Sequence, residues 1–122
     1  MKLLVAIDAS ESGERLLDYV ALHWLPRDPS LAIVLYHARG VAAETGDGDP
    51  LRYARAVCTS VGLPWVEHTT NEAPAAGILR VAAEIGADAI VLGARDRAVS
   101  RPLGAVATQV LAASDTPVLV VP

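Results

Sequence analysis

Short apolar runs alternate with amphipathic segments along the whole chain. The runs are mostly five or six residues long, and nearly continuous apolar runs are typical of strands that are buried on both faces of a sheet. The segments between them carry apolar residues at helical spacing, with glycine or proline near their ends. The predicted strands are Leu3–Ile7, Leu31–Tyr36, Trp65–Thr70, Ala89–Leu92 and Pro117–Val121, and the predicted helices are Ser12–Trp24, Leu51–Val61, Pro74–Ile85 and Ala105–Ala113.

This alternation predicts an α/β fold, with a doubly wound, five-stranded parallel sheet and helices on both faces. At 122 residues we expect a single domain, 1–122. Trp65–Thr70 is more polar than the other runs, so we expect it at a sheet edge. In the last helix we expect Val106, Val110 and Leu111 to form the apolar side.

Composition excludes several kinds of chemistry. The net charge of −4 argues against a general nucleic-acid surface. Lys2 is the only lysine, so the chain lacks the lysine of a Walker loop, a Schiff base or a receiver domain. Cys58 is the only cysteine, and no apolar run reaches membrane-spanning length. We therefore expect a cytoplasmic protein with no disulfide, no thiolate metal site and no membrane insertion.

A candidate anion site lies between the fourth strand and the fourth helix. The strand ends at Gly93, and an arginine-rich loop leads to Gly104, which opens the helix. Glycine lets a backbone approach an anion, and a helix N-terminus presents free N–H groups to it. Asp96 places a negative charge inside this loop. The pattern is that of a phosphate-binding turn with an unusual acidic member.

Three arginines of this loop have two open interpretations. Arg95, Arg97 and Arg101 are suited to pair with an anion, or else with Asp96 in a solvated loop. The sequence alone leaves both readings open.

Residues that follow the first and second strands join the candidate site, because ligands bind beyond the carboxyl ends of parallel strands. We expect Asp8 to face the Gly93 loop and to accept hydrogen bonds from a ribose; the alternative is that Asp8 caps the first helix or its preceding turn. The remaining candidates for nucleotide binding at these two strand ends are Ala9, Ser10, Ala38 and Arg39.

Catalytic and metal sites are not expected. The segment after the first strand lacks the first two glycines of a dinucleotide fingerprint. His23, His37 and His68 are scattered without a ligand spacing or an evident nucleophile. We therefore expect no catalytic residue and no bound metal.

Four segments together resemble the universal stress protein family, and in the family's order they span the chain. The resemblance implies the strand order 3-2-1-4-5, the Rossmann-like arrangement of adenine nucleotide alpha hydrolases, and a homodimer that pairs the last strands, here residues 117–121. The segments are Leu4–Glu11, Tyr36–His37, Ala87–Gly93 and Thr116–Val121.

The family's ATP-binding motif is altered in this chain. Members that bind ATP carry Gly, two residues, a second Gly, nine residues, and then Gly followed by Ser or Thr. Gly93 and Gly104 match the first and last glycines, but Asp96 replaces the second. Only seven residues separate Asp96 from Gly104, and Ala105 replaces the hydroxyl residue. The resemblance thus implies weak or absent ATP binding.

Three functions follow as hypotheses. The first is a stress-response protein that acts by binding and signalling, needs no cofactor, and has an unknown protein partner. The second is an ATP or AMP sensor in which Arg95, Arg97 and Arg101 hold the phosphates, Asp8 the ribose, and the backbone near Ala38 and Arg39 the adenine. The third is slow ATP hydrolysis or nucleotidyl transfer that uses Asp8.

Overall fold

A computed structural model describes residues 1–7, 12–38, 49–94 and 104–122, except for the side chains of 12–14. Strands and helices alternate within these ranges as the hydrophobic pattern predicts. The strands are β1 (Lys2–Ala6), β2 (Ala32–Ala38), β3 (Trp65–Thr70), β4 (Ala89–Gly93) and β5 (Val118–Val121), and the helices are α1 (Ser12–His23), α2 (Arg52–Val61), α3 (Pro74–Ile85) and α4 (Ala105–Ala113).

The five strands form one parallel sheet in the order β3-β2-β1-β4-β5. In the centre, β1 pairs with β2 along Lys2 to Ala6 and with β4 along Leu3 to Val5. The predicted α/β class, parallel sheet and strand order are confirmed. Because all strands run the same way, the carboxyl ends of β1, β2 and β4 lie side by side at one edge.

Two apolar layers cover the sheet. On one face, Leu3 and Val5 of β1 pack in the layer to which α1 and α2 contribute. On the other face, Leu4 packs in the layer formed with α3 and α4, which includes Ile78 and Val110. Leu3, Leu4 and Val5 alternate between the two faces and are all buried, which explains why this run is continuously apolar.

The apolar side of α4 differs from the prediction. Val106 is 36% exposed and Leu111 is 44% exposed, whereas Ala107 and Val110 are buried. Only a narrow stripe of the helix faces the sheet, because α4 covers the margin formed by β4 and β5 and leans against α3. Apolar spacing therefore overestimated how much of this helix is covered.

The two edge strands are different in character. On β3 the Glu67 carboxylate accepts two hydrogen bonds from Arg55 of α2, of 2.6 and 2.7 Å, so this polar edge carries charged side chains. On β5 the carbonyls of Pro117 and Val121 accept from the Ile90 and Ala94 amides of the neighbouring segment, both at 2.8 Å. Since alternate residues turn their backbone groups the same way, Val118 and Val120 present theirs at the outer edge.

Candidate functional site

A cavity of about 100 Å³ opens at the carboxyl edge of the sheet, on the side covered by α3 and α4. Strands β1, β2 and β4 form its base, and the first turns of α3 and α4 form its sides. Its lining residues are Ala6, Ile7, Tyr36, Ala38, Pro74, Ile78, Leu92, Gly93, Val106 and Ala107. The cavity thus lies where a doubly wound fold is expected to bind a ligand.

Among the described residues, the cavity wall is apolar apart from backbone groups and the Tyr36 side chain. Small residues at the strand ends, Ala6, Ala38 and Gly93, leave the space open. Tyr36 supplies the one aromatic ring, and its hydroxyl shares a hydrogen bond of 2.5 Å with the Thr70 hydroxyl. Burial raises the pKa of Tyr36, while that bond works in the opposite direction, so the phenol stays neutral at physiological pH.

Two helix N-termini flank the cavity. The N-cap residues are Ala73 for α3 and Gly104 for α4, and neither forms a side-chain cap within the described residues. The Gly104 amide donates to the Ala94 carbonyl at 2.7 Å, which brings the two ends of the Gly93–Gly104 loop together beside the first turn of α4. Uncapped first-turn N–H groups with the positive end of the helix dipole favour an anionic group at this place.

His37 holds the end of β1 against the end of β2. Its Nδ1 atom donates to the Ile7 carbonyl at 2.9 Å, and the Ile7 amide donates to the Tyr36 carbonyl at 2.8 Å. The His37 side chain is buried. These bonds extend the pairing of the two strands by one residue beyond β1 and direct the chain that leads to Asp8.

The structure brings four of the predicted binding residues to this edge. Ala38 and Gly93 line the cavity, Gly104 is the N-cap of α4, and Ala105 is its first residue. The other predicted binding residues lie outside the described residues; they are Asp8, Ala9, Ser10, Arg39, Arg95 and Arg97. Asp96 and Arg101, which bear on the altered motif, also lie outside them.

Sequence reasoning missed most of the apolar wall. The sequence places Tyr36 only at a strand end and Ile78 only within the predicted helix Pro74–Ile85, with no sign that either lines a site. Their approach to the cavity depends on how α3 crosses the sheet, which no local pattern encodes. The available signal was the pair of alanines at strand ends, Ala6 and Ala38, where larger residues would fill the space.

Two described residues with catalytic potential, Lys2 and Cys58, lie away from the cavity. Lys2 is at the opposite end of β1, where its ammonium donates to the Ile85 carbonyl at 3.0 Å. Burial raises the pKa of the Cys58 thiol to about 11, so this core cysteine is protonated at neutral pH. Within the described part of the chain, no three His, Cys, Asp or Glu side chains gather as a metal ion would require.

A sequence model of the universal stress protein family matches residues 20–122. The chain belongs to this family. Most of the cavity wall falls within the matched region, including the β2 and β4 ends and both flanking helices. The family resemblance seen in the sequence is confirmed. No match was found among curated proteins.

Solved universal stress proteins have the same fold. One from Archaeoglobus fulgidus is 27% identical with a TM-score of 0.77, and the alignment covers 100% of this chain and 93% of that one. Another structure from this organism, in complex with dAMP, is 26% identical with a TM-score of 0.71 and covers 100% and 98%. An Arabidopsis thaliana member with AMP bound is 18% identical, has a TM-score of 0.72, and covers 99% and 90%.

Across the described ranges, each helix is too short or too polar to cross a membrane.

The bond between His37 and Ile7 generates a stability prediction. Replacing His37 by Leu removes the donor to a buried carbonyl, so we expect the free energy of unfolding to fall by about 1 to 3 kcal/mol. The matched control is His23→Leu, because His23 is exposed near the end of α1 and should change stability by less than about 0.5 kcal/mol. Urea unfolding measures both variants, and equal effects would show that His37 has no special role at the strand ends.

Proposed function

We propose that this universal stress protein binds an adenine nucleotide or nucleoside weakly and does not turn over a substrate. In this proposal, a protein partner recognises the ligand-bound form. The observation that carries this proposal is the apolar cavity between two uncapped helix N-termini, at the carboxyl edge of β1, β2 and β4. A cytoplasmic location stays a prediction from the sequence.

The cavity suits the base end of a nucleotide. Its described walls are aliphatic except for Tyr36, and the small residues Ala6, Ala38 and Gly93 leave room for a flat ring. An aliphatic cavity of about 150 Å³ is large enough for benzene, so an open cavity of about 100 Å³ can take part of a purine. Relatives solved with dAMP and with AMP support an adenine ligand.

The phosphate end is the weak part of the site. Ala105 begins α4 and carries no hydroxyl that could bond to a phosphate. Asp96 adds a negative charge to the loop that joins Gly93 to Gly104, and that loop is two residues shorter than in the ATP motif. A like charge about 4 Å from a phosphate costs about 1 to 4 kcal/mol, depending on the dielectric, or roughly one to three decades of affinity.

In a second candidate function, the site also binds the phosphates of the nucleotide. In this alternative Arg95, Arg97 and Arg101 neutralise Asp96 and bind the anion, and the uncapped first turn of α4 assists them. The protein would then sense ATP or AMP with substantial affinity. The uncapped helix N-terminus favours this alternative, whereas Asp96 and Ala105 favour the first.

Calorimetric titration with ATP and magnesium separates the two candidates. We expect a dissociation constant well above the low micromolar range for the wild type. Asp96→Asn should tighten ATP binding by about tenfold or more, because it removes the charge that repels phosphate. The matched control is Asp115→Asn, which removes the same charge at the other end of α4 and should leave the affinity unchanged.

A low micromolar dissociation constant for wild-type ATP binding would contradict the first candidate. The second candidate requires that Arg97→Ala abolish the binding. Unchanged affinity in that variant would exclude the arginine-based sensor.

A homodimer through β5 is the assembly we propose. Val118, Leu119 and Val120 are partly exposed at the end of the sheet, and the outer backbone groups of Val118 and Val120 have no neighbouring strand among the described residues. An unpaired apolar edge of this kind is a template for pairing with a second copy. At the opposite edge, β3 is polar and its Glu67 is paired with Arg55.

Proline substitution tests which edge pairs. In Val120→Pro the lost N–H faces the outer edge, so we expect the pairing with β4 to persist while the dimer dissociates to monomers. Thr69→Pro is the control, because its N–H lies on the outer edge of β3 and its loss should leave the dimer intact. Sedimentation velocity reports the mass of each variant. A monomeric wild type, or a dimer that survives Val120→Pro, would contradict this assembly.

A further inference from the structure

Tyr36, one of the residues that line the cavity, is held in place by its contacts with β3 and α3. Tyr36 lies on β2 with its side chain fully buried under α3. Tyr36 lines the cavity, and its hydroxyl shares a hydrogen bond of 2.5 Å with the Thr70 hydroxyl at the end of β3. The only polar atom of this side chain therefore already has a hydrogen-bond partner within the protein.

The ring reaches this position because α3 has a glycine above it. A Cβ atom added at Gly77 would lie 1.9 Å from the Tyr36 hydroxyl oxygen, and 3.1 Å from both the ring Cζ and the Thr70 hydroxyl. A separation of 1.9 Å is far inside van der Waals contact, so Tyr36 and any larger residue at position 77 cannot keep this arrangement. Gly77 has no unusual backbone angle, so the close approach is what requires it.

We propose that Tyr36 is a specificity-determining residue: its ring sets how far a base can enter the cavity, and Gly77 with Thr70 holds the ring there. The inference rests on the proposed function, since it concerns the same site. A base that enters the cavity meets Tyr36 on the β3 side, so the position of the ring decides the size of base that fits.

The direction in which the ring can move follows from its surroundings. Tyr36 is packed among Leu4, Ile78 and their neighbours in the layer under α3 and α4. The cavity that it lines is the adjacent empty volume. We therefore expect a methyl group at position 77 to push the ring into the cavity, which Ala38 and Leu92 also line, and to narrow it.

Three variants test the wall with adenosine as the probe and NMR titration as the measurement. Gly77→Ala should weaken adenosine binding by about tenfold or more. Tyr36→Phe keeps the ring and removes only the hydroxyl, so it is the reference for the double variant. The double variant Tyr36→Phe/Gly77→Ala should recover most of the affinity, since the atom at 1.9 Å is gone. Ala76→Gly is the control on the exposed face of α3 and should not change the affinity.

A fourth variant tests size selection and does not depend on the folding of Gly77→Ala. Tyr36→Leu shortens the wall, so it should gain affinity relative to the wild type for at least one adenosine that carries a benzyl or phenyl group at position 2, 6 or 8 of the base. Unchanged ranking of all these analogues against adenosine would overturn the proposal. So would a folded Gly77→Ala protein with wild-type affinity, or a double variant as weak as Gly77→Ala.

Failure of the proposed function has a different signature. If the wild type does not bind adenosine, the ligand assignment is wrong. The effect of position 77 on the cavity wall is then measured in the unliganded protein, from the NMR methyl resonances of Ala38 and Leu92. They should shift in Gly77→Ala and return in the double variant; unshifted resonances would overturn the wall as well.

Discussion

Pairing of β1 with both β2 and β4 is the constraint on which the site depends. This pairing makes β1 the centre of a parallel sheet, so three strand ends meet at one edge. Each of those ends stops at a small residue that leaves a cavity, as Ala6, Ala38 and Gly93 do. The bond from His37 to the Ile7 carbonyl extends the pairing just beyond β1. A shift in this register would therefore move the cavity wall.

In the proposed function, the site has a base half and a phosphate half with different physical character. The base half is built from buried side chains of β2, β4, α3 and α4, and its shape is fixed by packing such as that of Tyr36 against Gly77. The phosphate half depends on the loop between Gly93 and Gly104, where Asp96 opposes an anion. In the proposed function, the apolar half supplies the affinity and the loop limits it. A protein built in this way responds weakly to the number of phosphates on its ligand.

Hydrophobic patterning predicted the fold because the three inner strands, β2, β1 and β4, are largely buried on both faces. Continuous runs such as Leu3–Ile7 have few alternative structures, and Gly62 and Gly86 end their helices in the left-handed conformation, as expected for helix C-termini. Patterning failed where burial depends on position at the sheet margin, as for Val106 and Leu111 of α4. Patterning also missed the part that Tyr36 plays in the cavity wall. The position of Tyr36 depends on Thr70 of β3 and Gly77 of α3, and both lie more than thirty positions from it in the sequence.

The most direct test of the account compares adenosine with ATP in the presence of magnesium, by calorimetry on the wild-type protein. If the cavity supplies the affinity and the loop opposes the phosphates, adenosine should bind at least as tightly as ATP. Binding of ATP about tenfold or more tighter than adenosine would mean that the phosphates contribute about 1.4 kcal/mol or more, and it would contradict the account.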